Sequence, residues 1–133
     1  MMKENTITIL HPFLTVKNAE AAVSFYIAAF GAIEMKRHGK PGEKLMAKIS
    51  IEGAEFWVGD EEPQCDHFSP DLTSKSSSIR IILETIRADE IFEAAIKLGA
   101  TQICPMTTED FWRIGKLKDP FGHVWEIGYV LNK

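Results

Sequence analysis

The sequence predicts an α+β fold in which two repeated β-α-β-β-β modules curl into a cup-shaped mixed β-sheet with the helices outside. Two helical patterns, each preceded by one strand-like stretch and followed by three, divide the 133 residues into similar halves. The helix ends "FGA" (30–32) and "LGA" (98–100) have an offset of 99 − 31 = 68, and the final strands "GAEFWVG" (53–59) and "GHVWEIG" (122–128) have an offset of 122 − 53 = 69. A nearly constant offset of both features indicates a duplicated unit.

The first module is predicted over residues 6–59. It opens with a strand at 6–16, "TITILHPFLTV", which is rich in β-branched and aromatic residues. Asn18 is a suitable N-cap for the next segment, in which apolar residues recur at helical spacing, and Gly31 ends that helix. Three strand-like stretches complete the module, at 32–38, 44–52 and 54–58.

Residues 60–77 are predicted to be a linker loop. The segment is polar, contains Pro63 and Pro70, and ends in a run of serines, a composition typical of a connector or mobile loop. The whole chain, residues 1–133, is therefore expected to be one domain in which two modules flank this loop.

The second module, residues 78–130, repeats the plan of the first. The strand "SIRIILETI" (78–86) leads into the helix "ADEIFEAAIKLG" (88–99), whose apolar residues form one stripe. Three further strands follow, at 101–105, 111–118 and 123–130.

The composition is that of a globular protein, and a cytoplasmic location is the default expectation. Hydrophobic residues make up 45% of the chain and charged residues 26%, with a net charge of -4 and scattered basic residues. We therefore expect no nucleic-acid partner, because a phosphate-tracking surface needs clustered Lys and Arg. The sequence shows neither an apolar signal segment nor an apolar run of membrane-spanning length. Cys65 and Cys104 are expected to be reduced thiols without a special role.

Three stretches that together span nearly the whole chain carry a family resemblance. They are the first strand and helix "HPFLTVKNAEAAVSFYIAAFGA", the second helix "ADEIFEAAIKLGA" and the closing hairpin "WRIGKLKDPFGHVWEIG". In these stretches the chain resembles the vicinal-oxygen-chelate superfamily of glyoxalases, bleomycin-resistance proteins, fosfomycin-resistance enzymes and extradiol dioxygenases. The form "DPFGHVWEIG" is most similar to the glyoxalase-like branch associated with phosphonate operons. The resemblance implies a homodimer in which both chains contribute to each site.

The resemblance also implies positions for a divalent metal ion, and this sequence departs from them. The metal-dependent members hold the ion with four inward-pointing residues from the first and last strands of each half. His11 and Glu126 match two of these positions, and the internal repeat assigns the other two to Trp57 and Ile79. A shift of one residue would instead offer Ser78 or Arg80 for Ile79, and Phe56 or Val58 for Trp57.

None of these alternatives completes a metal site. First-row metals are usually held by three or four protein ligands, so His11 and Glu126 alone would bind a divalent metal weakly. We therefore expect no tightly bound metal and no other cofactor.

Glu126 is the residue in the closing strand that requires an explanation. Alternation places Glu126 on the face opposite Trp125, which is expected to pack against the helices. A carboxylate in an apolar strand is costly unless it is paired. Two interpretations remain open: Glu126 is a remnant paired inside the cup, or it is a polar anchor or general base facing a ligand. His11, at the family's ligand position, is the residue expected to assist it.

Four further residues are predicted to bind the ligand. Phe13, Trp57 and Trp112 would form an aromatic wall for a flat or apolar molecule, although ordinary core packing explains them as well. Arg113 would clamp an anion with its planar fork of donors, or would pair with an acidic side chain such as Glu126. The remaining histidines are assigned no catalytic role: His38 and His67 are expected to be solvated, and His123 is expected to stabilise its turn.

Two functions of different classes follow. The first is a binding protein that holds a small molecule in an apolar cup without the family's full metal site. The second is a lyase or isomerase acting on a small oxygen-rich substrate, with Glu126 as general base and His11 assisting. The missing ligand pair favours the first.

Overall fold

A computed structural model of the protein describes residues 7–40, 42–73 and 77–131. Within them lie two α-helices and eight β-strands. The elements in chain order are β1 (Phe13–Val16), α1 (Ala19–Phe30), β2 (Ile33–His38), β3 (Met46–Ile51), β4 (Ala54–Asp60), β5 (Arg80–Glu84), α2 (Ala88–Lys97), β6 (Thr101–Thr108), β7 (Trp112–Lys118) and β8 (Val124–Val130). None of the helices in the described ranges has the length and apolar character needed to cross a membrane.

The strands form two four-stranded mixed sheets with the same topology. The first sheet has the order β1-β4-β3-β2, and the second has the order β5-β8-β7-β6. In each sheet the first strand runs parallel to the last, and the other neighbours are antiparallel. This confirms the α+β fold of two β-α-β-β-β modules.

The register of the strand pairs fixes how the two modules correspond. Phe13 of β1 lies opposite Trp57 of β4, and Ile82 of β5 lies opposite Glu126 of β8. The first strands are therefore related by an offset of 82 − 13 = 69, and the last strands by 126 − 57 = 69. This offset of 69, rather than the 68 that separates the helix ends, relates the strand residues of one sheet to those of the other.

The helix-covered faces of both sheets share one hydrophobic core. Trp125 of β8 packs edge-on against Phe30 of α1, with 4.8 Å between the ring centroids, and against Phe56 of β4 at 5.6 Å. Tyr26 lies 5.8 Å from the same indole. Trp125 thus packs in the helical layer, as the alternation in β8 predicts. The opposite face of each sheet, here called its open face, points away from this core.

A buried carboxylate organises the turn before β8. Asp119 Oδ2 accepts a hydrogen bond from the Tyr26 hydroxyl at 2.5 Å and another from Trp125 Nε1 at 2.9 Å. Its Oδ1 accepts the backbone N–H groups of Phe121 at 2.9 Å and His123 at 3.0 Å. Burial, and then the negative charge of Asp119, raises the pKa of Tyr26 well above its ordinary value. One carboxylate therefore joins the helix of the first module to the closing turn of the second.

The same turn contacts both β1 and the linker. His123 Nε2 lies 2.8 Å from the carbonyl oxygen of Thr15, so His123 joins the turn to β1. Gly122 has φ +101°, and a Cβ there would approach Leu72 and Pro70 to 3.0 Å. The end of the linker therefore packs on this turn.

The first strand is shorter than the sequence indicates. The pattern predicts a strand at 6–16, whereas β1 begins at Phe13; residue 6 lies outside the described residues. Pro12 has no N–H to donate to a neighbouring strand, and the pairing with β4 starts where the Trp57 N–H donates to the Pro12 carbonyl at 2.9 Å. Residues 7–10 precede this pairing and are exposed.

Candidate functional site

Glu126 lies on the open face of the second sheet and contacts two cations. Its side chain is 13% exposed. Arg80 Nε of β5 contacts Oε2 of Glu126, and Lys116 Nζ of β7 lies 3.7 Å from the same oxygen. The carboxylate in this otherwise apolar strand is therefore compensated by two basic side chains.

Arg80 occupies the position in the second module that corresponds to His11 in the first. The strand offset of 69 relates His11 to position 80, because 80 − 11 = 69. The assignment of this position to Ile79 is therefore wrong by one residue, and the alternative Arg80 is correct. The error arises from the helix-end offset of 68, because a shift of one residue moves a side chain to the opposite face of a strand. Ile79 itself precedes β5 and is exposed.

The first sheet carries a similar charged cluster on its open face. His11 Nε2 lies 3.3 Å from Glu55 Oε1, and Lys48 Nζ lies 3.1 Å from the same oxygen. The hydrogen bond from Lys48 is the main cause that lowers the pKa of Glu55 below its ordinary value, and His11 lowers it further. Each open face thus presents one carboxylate between two basic side chains.

Aromatic rings lie beside this first cluster. The rings of Phe13 and Trp57 are nearly parallel, with an interplanar angle of 8° and centroids 6.5 Å apart. The His38 ring lies 6.0 Å from Trp57 at an angle of 25°, and the His67 ring lies 6.4 Å from Phe13. Lys48 Nζ is 6.0 Å from the Trp57 ring. These four rings, called the ring group (Phe13, His38, Trp57 and His67), therefore form a surface that is both aromatic and polar.

Two of the four residues in the ring group are predicted from the sequence as parts of a ligand site. The sequence predicts Phe13 and Trp57 as ligand-binding residues, whereas it assigns His38 and His67 only to solvent. Both histidines are exposed, as expected, but each also lies beside an aromatic ring. Alternation along β2 offers a weak signal for His38. His67 reaches the group through the fold of the linker, which local sequence patterns do not encode.

The two predicted residues on β7 point to opposite faces. Lys116 faces Glu126, and alternation places Trp112 on the same open face. Arg113 instead pairs with Asp89 of α2, with Nε 2.9 Å from Oδ1, and donates to Thr108 Oγ1 at 3.1 Å. The structure therefore does not bring Arg113 together with Glu126, and the basic partners of that carboxylate are Arg80 and Lys116.

The structure places the two proposed catalytic groups in separate clusters. His11 contacts Glu55 on the first sheet, whereas Glu126 contacts Arg80 and Lys116 on the second. A shallow depression of about 210 Å³ adjoins Glu126. Its lining residues are Cys104, Pro105, Thr107, Glu109, Ile114, Gly115, Lys116 and Glu126.

The family model for the Glyoxalase/Bleomycin resistance protein/Dioxygenase superfamily matches residues 8–127. The chain belongs to this superfamily. It is 35% identical to an uncharacterised protein of Mycobacterium bovis, over 99% of this chain and 90% of that one. The narrower branch suggested by "DPFGHVWEIG" stays a prediction.

Solved structures show the same fold. A gene product from Arabidopsis thaliana is 27% identical, with a TM-score of 0.69, and the match covers 92% of this chain and 98% of that one. The fosfomycin resistance protein FosX from Listeria monocytogenes, solved with Mn(II) and a sulfate ion, is 18% identical. It has a TM-score of 0.64, over 92% of this chain and 91% of FosX.

The residues of this chain do not fit a divalent metal at the family's four positions. With the register corrected, these positions hold His11, Trp57, Arg80 and Glu126. An indole offers no lone pair for coordination, and a guanidinium is a cation without an acceptor. Among the described residues, no group of three or more His, Cys, Asp or Glu side chains is arranged to hold a metal ion.

Proposed function

We propose that this superfamily member binds a small molecule on the open faces of its sheets and does so without a tightly bound metal. The observation that carries the proposal is the ring group beside the Lys48–Glu55 pair. Large rings next to a few fixed polar groups are typical of small-molecule sites, because the rings provide contact area and the polar groups provide orientation.

We also propose that the protein is a homodimer in which the open faces of the two chains face each other across the ligand site. Within one chain the ring group and Glu126 lie on different sheets, and a partner brings such faces together. Exposed apolar side chains support this arrangement. Leu10 is 94% exposed, Ile9 is 64% exposed, and Phe13 and Ile82 of the open faces are 44% and 57% exposed. An assembly that buries these side chains is stabilised by the hydrophobic effect.

A cytoplasmic location is part of the proposal. Cys65 and Cys104 are both exposed free thiols. Thiols persist in the reducing cytosol, whereas oxidising compartments favour disulfides.

The alternative function is catalysis by a lyase or isomerase with Glu126 as general base and His11 assisting. The contacts support it less well, because Arg80 and Lys116 both engage Oε2 of Glu126, so a substrate proton would have to be accepted by Oε1. His11 would also have to come from the partner chain to act on the same substrate.

Calorimetry and variants test this proposal. Titration with Mn²⁺, Zn²⁺ and Ni²⁺ should show no tight stoichiometric binding, and tight binding would restore a metal-dependent mechanism. Aromatic probes should bind the wild-type protein and should lose at least about tenfold in affinity with Trp57→Ala. Phe111→Ala, which removes an exposed ring outside the ring group, is the matched control and should leave the affinity unchanged. Glu126→Gln should abolish turnover in an enzyme but only change affinity in a binding protein.

A further inference from the structure

The corrected register places a permanent cation in the family's set of ligand positions. Arg80 is the repeat counterpart of His11, and its guanidinium Nε contacts Glu126. A guanidinium stays protonated at every physiological pH. Where a metal-dependent relative would have a metal ligand, this chain therefore has a fixed positive charge, and that charge contacts Glu126 of β8.

The charges around Glu126 resemble those of a metal site. Arg80 and Lys116 contribute two positive charges, and Glu126 contributes one negative charge. This group of three carries a net charge of +1, the same as a divalent ion bound to one carboxylate. The whole chain has a net charge of -4, so this group is a local positive centre on an acidic protein. Glu109, on the lining of the adjacent depression, is exposed near the β6–β7 turn.

The exposure of the pair assigns a different role to each partner. Glu126 is only 13% exposed, whereas the side chain of Arg80 is 59% exposed. Glu126 therefore holds and orients the guanidinium, and Arg80 is the member of the pair that a ligand reaches. The terminal nitrogens of the guanidinium carry four further N–H donors, a number and planar arrangement that match the two oxygens of an oxyanion.

We propose that Arg80 takes the place of the metal and is the specificity-determining residue of the site, binding an oxyanion such as a carboxylate, sulfonate or phosphonate on the ligand. Lys116 adds a second positive charge from β7. This inference rests on the proposed binding function and on the proposed dimer, which would bring Trp57 of one chain and Arg80 of the other to the same ligand, and it adds the chemical class of that ligand. It predicts selection for anionic molecules over neutral molecules of the same shape.

Two probes of matched shape test the inference. In isothermal titration calorimetry, 2-naphthoate should bind the wild-type protein about tenfold or more tightly than 2-naphthamide, which has the same rings and no charge. Arg80→Gln should reduce this ratio to about twofold or less, because the glutamine has neither the charge nor the fork. Lys97→Gln, on the exposed side of α2 where Lys97 pairs with Glu93, is the matched control and should leave the ratio unchanged.

The possible results separate this inference from the binding proposal. Equal affinity of both probes, each dependent on Trp57, would overturn the role of Arg80 and leave the binding function intact. The same holds if Arg80→Gln, shown by circular dichroism and thermal unfolding to fold normally, retains the full preference for naphthoate. If neither probe binds at millimolar concentration, the binding function fails and the inference fails with it.

Discussion

Replacement of Asp119 by asparagine should destabilise the protein strongly. Asp119 is 2% exposed and accepts four hydrogen bonds, two on each carboxylate oxygen. Asparagine keeps one oxygen for the backbone N–H groups of Phe121 and His123, but its NH₂ group cannot accept from Tyr26 and Trp125. Two buried donors therefore lose a charged acceptor.

The expected loss in the free energy of unfolding follows from these two hydrogen bonds. A hydrogen bond to a charged group contributes about 1.5–3 kcal/mol, so the loss of two should lower the free energy of unfolding by about 3–6 kcal/mol. This is a large fraction of the roughly 5–15 kcal/mol that stabilises a typical domain. Tyr26→Phe removes one donor and leaves the carboxylate with three partners, so it should lower the free energy of unfolding by about 1.5–3 kcal/mol.

Urea unfolding at one fixed protein concentration measures these effects. Tryptophan fluorescence and far-ultraviolet circular dichroism should give coincident transitions if unfolding is two-state. Asp110→Asn removes the same charge at an exposed position and should stay within about 0.5 kcal/mol of wild type. If Asp119→Asn is no more destabilising than this control, Asp119 does not join the two modules as argued.

Three further predictions concern pH, assembly and metal binding. Folding raises the pKa of Tyr26, so the free energy of unfolding should be unaffected by this group below pH about 10 and should fall as the pH rises beyond it. Urea titrations at several pH values should show a weaker fall for Tyr26→Phe. The same alkaline fall in both proteins would contradict the prediction. If the proposed dimer forms, Leu10→Asp should convert it into a folded monomer in light-scattering measurements, and an unchanged dimer mass would argue that Leu10 does not lie in the dimer contact. Arg80→His should increase Mn²⁺ affinity at least about tenfold in calorimetry, because the new imidazole would join Glu126 and, across the proposed dimer, His11 of the other chain. Unchanged affinity in a variant shown to be dimeric would contradict the assigned equivalence.

Alternation and duplication are sufficient to predict the fold and the orientation of β8. The period of two residues puts Trp125 in the helical layer and Glu126 on the open face, because adjacent strand residues point in opposite directions. The repeat also predicts which strands correspond. These properties depend on local geometry, which a single sequence encodes well.

Register and tertiary contacts are not encoded in the same way. The helix ends have an offset of 68 and the paired strands an offset of 69, so the wrong offset selects Ile79 instead of Arg80. The β-branched residues before Pro12 favour a strand, but a strand needs a neighbour with which to pair, and β4 pairs only from that proline onward. Arg113 illustrates the same limit, because its partner Asp89 belongs to a helix 24 residues away.

The two carboxylates of "DPFGHVWEIG" have different environments, and this difference supports the proposed binding function. Asp119 is buried in the shared core, and its four donors all come from the protein, so folding alone accounts for it. Glu126 lies further along the same segment, on the open face, where its partner Arg80 remains largely accessible to a ligand. An acid that is nearly buried while its base stays exposed presents a positioned positive charge, and an oxyanion is the kind of ligand that such a charge favours.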